Sequence, residues 1–272
     1  MTGRLSDTIR ALRPGWWPCV WVHFLLGARL TGFHANAEAD ALPVFRIAVA
    51  GGLWSICLFG AAAAISAAFA PAAASPSESA EESAHLLPAG WVGLILMFIG
   101  TALAPVLSWW FLDIWLIGIL IVVLYAVPPI RLARWAPFAA LVEAASVGGF
   151  TLWAPQMLFG PVHILMDHRL LLTAFGFGFL ILALRVWSWP EGGRAAWLYA
   201  VCLINAFVCL IMAGEAWGAG AAKWTMLAVL PLWIVMGWAR YRPAGWRLSP
   251  DRNGPGIWIC LLTDLLAISI FT

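Results

Sequence analysis

The chain has 272 residues, of which 63% are hydrophobic and only 10% charged, whereas soluble domains carry about 25% charged residues. That composition excludes a soluble globular fold, because so much apolar surface has no place in water, and it leaves a polytopic, all-α membrane protein. The formal net charge of +2 is small and says little about partners; the expected partners are the lipid bilayer, a hydrophobic small molecule or isoprenoid lipid, and a membrane protein, with no nucleic acid.

The first apolar stretch starts near Gly15, after Arg4, Arg10 and Arg13. It is too long for a cleavable signal peptide and lacks a small-residue cleavage site. At roughly 20 apolar residues per crossing, the pattern predicts nine helical spans, at about 15–33, 44–70, 88–106, 108–128, 138–160, 169–189, 195–213, 222–239 and 255–271. All are expected to be helices, since backbone groups facing lipid need partners within their own segment. Of the 15 basic residues, all but Arg29, Arg46, Arg169 and Lys223 fall on the N-terminal side of this topology. The positive-inside rule therefore places the N-terminus in the cytoplasm and the C-terminus on the opposite face, with a bacterial inner membrane as the expected location. Trp16, Trp17, Trp109, Trp110, Trp187, Trp189 and Trp238 cluster near span ends and read as an interfacial aromatic belt. The small-residue runs Ala61–Ala64 and Gly148-Gly149 allow close helix approach. An Ala-, Ser- and Glu-rich stretch, within 70–87, reads as a mobile cytosolic loop inside a single domain covering 1–272. The cysteines Cys19, Cys57, Cys202, Cys209 and Cys260 all lie in apolar runs and read as packing thiols.

The segment Leu124 to Arg134 reads LYAVPPIRLAR. Proline lacks a donor and biases its predecessor away from helix, so the fourth span must end near Val127, with Arg131 and Arg134 held just beyond it. Arg13-Pro14 leads into Gly15-Trp16-Trp17, His85-Leu86-Leu87-Pro88-Ala89-Gly90 precedes the third span, and Leu141-Val142-Glu143 is followed by Gly148-Gly149-Phe150. In this order these segments resemble landmarks of the UbiA superfamily of intramembrane prenyltransferases. The most specific of them is its Tyr-x-x-Pro-Pro-x-Arg-x-Lys signature, here closing on Ala133-Arg134. The resemblance implies a nine-helix bundle around a central apolar cavity.

It also implies two aspartate-rich loops that hold magnesium on an allylic diphosphate, and both are stripped of aspartate. The first family motif, Asn-Asp-x-x-Asp-x-x-x-Asp, corresponds to Ser66 through Ala74, where the aspartate positions fall on Ala67, Ala70 and Ala74. No acid occurs between Leu42 and Glu78. The second corresponds to Leu184 through Arg194, with Arg185 and Trp189 near the aspartate positions and Glu191 as the one acid. Magnesium requires oxygen ligands, so no magnesium cofactor and no catalytic residue are expected. Glu78, Glu81 and Glu82 read as a solvated loop. Arg131, Arg134, Arg185 and Arg194, with Tyr125, are the candidate binders of an anionic headgroup or diphosphate, because guanidinium forks suit phosphate oxygens. Ser66, Glu143, Trp187 and Trp189 are the candidate residues of the cavity and its mouth.

Four ionisable groups fall at membrane depth: His23, Asp113, Glu143 and Asp264. Each is costly there unless paired or wet. Glu143 is expected to pair with Arg131 or Arg134, His23 to be a hydrogen-bonded core histidine, and Asp264 to serve helix packing. The leading expectation is a prenyltransferase-like scaffold without the metal-dependent reaction, a pseudoenzyme binding an isoprenoid or other lipophilic ligand or assisting a membrane partner. The alternatives are an active transferase with an arginine-held diphosphate and a structural subunit of a membrane complex.

Overall fold

A computed structural model of the chain describes residues 8–9, 11–30, 41–69, 76–159, 167–189, 193–241 and 254–271. Among them every regular element is helical and none is a strand. The rods are α1 (Trp17–Leu30, preceded by the 3₁₀ turn Pro14–Trp16), α2 (Ala41–Gly52, Leu53–Gly60 and Ala61–Ala68 in continuity), α3 (Pro76–Leu107) and α4 (Trp109–Ala126). After the 3₁₀ turn Leu132–Arg134 come α5 (Ala136–Glu143, continuing to Leu158), α6 (His168–Trp187), α7 (Gly193–Ala216), α8 (Gly220–Val229 running into Leu230–Tyr241) and α9 (Gly254–Phe271). Seven of them, α2 to α8, are long and apolar enough to cross a membrane, so this is an integral multi-pass membrane protein. The stretches expected for the first and ninth spans carry α1 and α9, which are not among the seven. The loop expected over 70–87 is helical from residue 76 onward, as the first turns of α3; residues 70–75 lie outside those described.

Local chemistry sets several boundaries. Val127 is extended (φ −94°, ψ 135°), as the residue before a proline prefers, and it ends α4 where the Pro-Pro pair demands. At the start of α6, the Asp167 side chain accepts the backbone N–H of Arg169 at 3.0 Å, filling one of the open donors of the first turn. At its other end, buried Arg240 of α8 donates to the carbonyls of Trp187 and Trp189 at 3.2 and 3.4 Å. A cation at the carbonyl end of a helix meets both the free acceptors and the dipole.

The buried side chains form two lobes. One joins α6, α7, α8 and α9 through Leu180, Leu210, Trp233 and Cys260. The other joins α2, α3 and α4 through Trp54, Met97, Phe111 and Trp115. Helix α1 runs between them and faces both: Cys19, Leu26 and Leu30 belong to the first lobe, and Val20, Phe24 and Ala28, at helical spacing, to the second. Helix α5 bridges the lobes in the same way, with Leu152 on one side and Ala154 and Leu158 on the other. Close crossings permit this. A Cβ on Gly27 would lie 2.3 Å from the Leu152 carbonyl oxygen, and one on Gly148 would lie 2.4 Å from the Gly178 nitrogen. With no hydrophobic drive between helices in lipid, such backbone approaches supply the contact that holds them together.

Candidate functional site

A cavity of about 410 Å³ opens between the two lobes, within the roughly 300–1,000 Å³ of small-molecule sites. Its wall is built by α1 (Val20), α2 (Trp54, Leu58, Phe59), α4 (Gly118, Val122), α5 (Val147, Phe150) and α6 (Ile181). The polar residues gather at one end: Arg13, Ser66, Tyr125, Glu143, Ser146 and Arg185. At about 1.5 Å per helical residue, the seven residues between Tyr125 and Gly118 put the apolar part roughly 10 Å deeper along α4. Trp54 belongs to a locked aromatic layer, with ring centroids 6.0 Å from both Phe111 and Trp115 and 6.3 Å from Phe24. Its indole N–H donates to Thr151 Oγ1 at 3.2 Å.

Two helices change winding where they line this cavity. Leu53–Gly60 of α2 and Ala144–Phe150 of α5 are π-helical. The Ala61 amide reaches back to the Ile56 carbonyl and the Thr151 amide to that of Ser146. Wide turns of this kind occur often at functional sites, where they re-aim side chains. Here they place Trp54, Leu58 and Phe59 on one wall and Ser146, Val147 and Phe150 on another.

The polar end is organised by Glu143. Its carboxylate accepts from the Tyr125 hydroxyl and from Nε of Arg185. The expected pairing of Glu143 with Arg131 or Arg134 is therefore replaced by one with Arg185, which comes from α6 and faces Glu143 across the cavity end. The outer guanidinium nitrogens of Arg185 have no partner among the described residues. Arg13 adds a second positive charge to the wall. It holds a left-handed backbone, φ 49°, a conformation uncommon outside glycine and worth notice where it occurs beside a site.

Of the candidate residues, Ser66, Tyr125, Glu143 and Arg185 meet at this cavity. Of the four candidate arginines, Arg131, Arg134 and Arg194 are not among the residues lining it. Arg194 is exposed at the start of α7. Trp187 is buried with its indole N–H on the Met236 carbonyl, 3.2 Å away, and Trp189 packs against the α6–α9 lobe; neither forms a mouth. Arg131 and Arg134 sit on the turn between α4 and α5. The Arg131 guanidinium is pushed below its ordinary range by burial and by the neighbouring charge of Arg134. Arg13 was legible in the sequence only as a landmark before the first span. The belt expected from tryptophan also divides. Trp109, Trp110 and Trp238 are exposed, Trp16 and Trp17 line the cavity, and Trp187 is core.

Beyond the cavity, His23 and Asp264 form a buried pair, with Nδ1 to Oδ1 at 2.7 Å. Cys19 donates to the second Asp264 oxygen at 3.8 Å. The pair joins α1 to α9, as a hydrogen-bonded core histidine and a packing carboxyl would. Among the described residues no group of three or more His, Cys, Asp or Glu side chains can hold a metal ion. Glu143 is the one carboxylate on the cavity wall there, and two cationic or protic donors already occupy it. No family model, no curated protein and no solved structure matches the chain.

Proposed function

We propose that this chain is a UbiA-like nine-helix membrane protein that binds a lipophilic ligand of isoprenoid type in its central cavity and does not carry out metal-dependent prenyl transfer. The observation that carries this reading is the cavity itself, apolar along its depth and polar at one end. The positions that the resemblance assigns to the two metal-binding motifs support it: Ser66 and Ala67 from one motif and Arg185 from the other line the same cavity. Sequence segments far apart thus meet at one cavity, and they bring a methyl and a cation at or near positions that carry aspartate in the family, with a hydroxyl in place of its asparagine. Such a donor set does not fit magnesium, which takes oxygen ligands. An apolar tail fits the aromatic and aliphatic wall, and a headgroup that accepts hydrogen bonds fits the Arg13–Arg185 end.

The arginine-held diphosphate reading is the weaker one, because Arg185 alone of its four arginines lines the cavity and Glu143 partly neutralises it. In the proposed orientation the Arg13, Tyr125 and Arg185 end faces the cytoplasm of a bacterium, in line with the positive-inside rule. The reading is tested by incubating purified protein with labelled allylic diphosphate and an acceptor, with and without magnesium. No turnover is expected in either case, and solvent extraction should release a hydrophobic molecule. Magnesium-dependent transfer of the label would overturn the proposal.

A further inference from the structure

The turn between α4 and α5 carries a feature that the cavity does not use. Arg131 has a left-handed backbone (φ 40°) and precedes the 3₁₀ turn Leu132–Arg134, closed by the Arg134 amide on the Arg131 carbonyl at 3.0 Å. Arg131 and Arg134 stand at the two ends of this one short turn, close enough for the charge of Arg134 to act on the Arg131 guanidinium. Like charges so placed repel, and neither has an acidic partner among the described residues. Nε of Arg131 is moreover buried with no hydrogen-bond partner among the described residues. A buried cationic donor without an acceptor is costly, and its natural complement is an anion.

The surroundings say which anion. Ile130, Trp135, Phe138 and Leu141 flank the arginines and expose about half or more of their surface. Trp135 and Phe138 meet edge to face at 5.8 Å. Phe138 and Leu141 start the outward face of α5, a helix long and apolar enough to cross the membrane. The arginines thus stand at the end of a lipid-facing stripe, at the depth where tryptophan and phosphate groups meet. A soluble phosphate would find the charges but would leave these side chains unused.

We propose that Arg131 and Arg134 form a binding site for the phosphodiester of an anionic phospholipid, with Trp135 and Phe138 against its acyl chains. The site is separate from the central cavity and does not depend on what the cavity binds. One phosphodiester carries one negative charge and offers its oxygens to two guanidinium forks.

The test is the thermal stability of the full chain in a zwitterionic detergent, titrated with phosphatidylglycerol, with phosphatidylcholine of the same chains, and with glycerol phosphate. Phosphatidylglycerol is expected to raise the midpoint by roughly 5–10 °C near saturation, phosphatidylcholine much less, and glycerol phosphate not at all. Arg134→Gln, at an exposed position, is expected to shift the phosphatidylglycerol titration to about tenfold higher concentration, and the Arg131→Gln/Arg134→Gln double variant to remove it. Equal responses to the two lipids, a full response to glycerol phosphate, or an unchanged titration in Arg134→Gln would each overturn the proposal.

Discussion

His23 and Asp264 show how a single polar pair can matter in an apolar bundle. Both are about 2% exposed and they meet at 2.7 Å. Removing one partner leaves the other buried and uncompensated, which costs about 3–5 kcal/mol, whereas replacing both by apolar residues of similar size is often neutral. Asp264→Ala should therefore lower the thermal midpoint sharply, and His23→Leu/Asp264→Leu should recover most of the loss; equal losses in both would show that the pair is not the cause. The cost of isolated charge at membrane depth made these residues legible from the sequence, but their pairing was not, because they are 241 positions apart. Glu143 makes the same point in reverse. Nearness in sequence favoured Arg131 and Arg134, yet the helix after Trp135 turns Glu143 toward Arg185. A partner on another helix depends on packing, which no local pattern encodes.

At the scale of the element, the ends of helices were easier to read than their interiors. Pro128-Pro129 told where α4 stops, and Val127 is extended as a consequence. The π turns of α2 and α5 left no comparable mark, because Leu53–Gly60 and Ala144–Phe150 read in sequence like any other stretch of apolar helix. The Gly148-Gly149 pair did signal close packing, and the α5–α6 crossing uses Gly148. Gly148→Ala should cost about 1–3 kcal/mol through overpacking, read as a lower midpoint, while Gly149→Ala, with open space around its Cβ position, should cost far less. Asp167 caps α6, and Asp167→Ala should cost about 1 kcal/mol. The hydrogen bond from Arg169 holds the Asp167 carboxyl below its ordinary range. Its contribution is therefore complete above the unfolded carboxylate value, about 3.9, and fades as the pH falls through the lower folded value. Unfolding of the parent and of Asp167→Ala should accordingly converge at strongly acid pH; a gap that persists there would contradict this account of the cap.

The whole molecule is two helical lobes held together by α1 and α5, with a cavity where they part. The all-helical membrane class followed from composition alone. Of the residues named for the cavity and its headgroup end, Ser66, Tyr125 and Arg185 line it, while Trp187 and Trp189 do not, because an interfacial tryptophan pattern is the same whether a ring faces lipid or core. The proposed nine crossings would require α1, whose described helix is Trp17–Leu30, to traverse the bilayer. Single cysteines at Ser6 and Ala35, in a chain freed of its native thiols, should then react with a membrane-impermeant maleimide from opposite faces; labelling from one face would contradict the crossing. Native mass spectrometry of the detergent-purified chain tests the cavity most directly, comparing the parent with Ala63→Phe, which places a ring into the apolar lining. The account predicts a tightly retained hydrophobic adduct on the parent and its loss in the variant, while an adduct of equal mass and occupancy on both, or none on the parent, would contradict it.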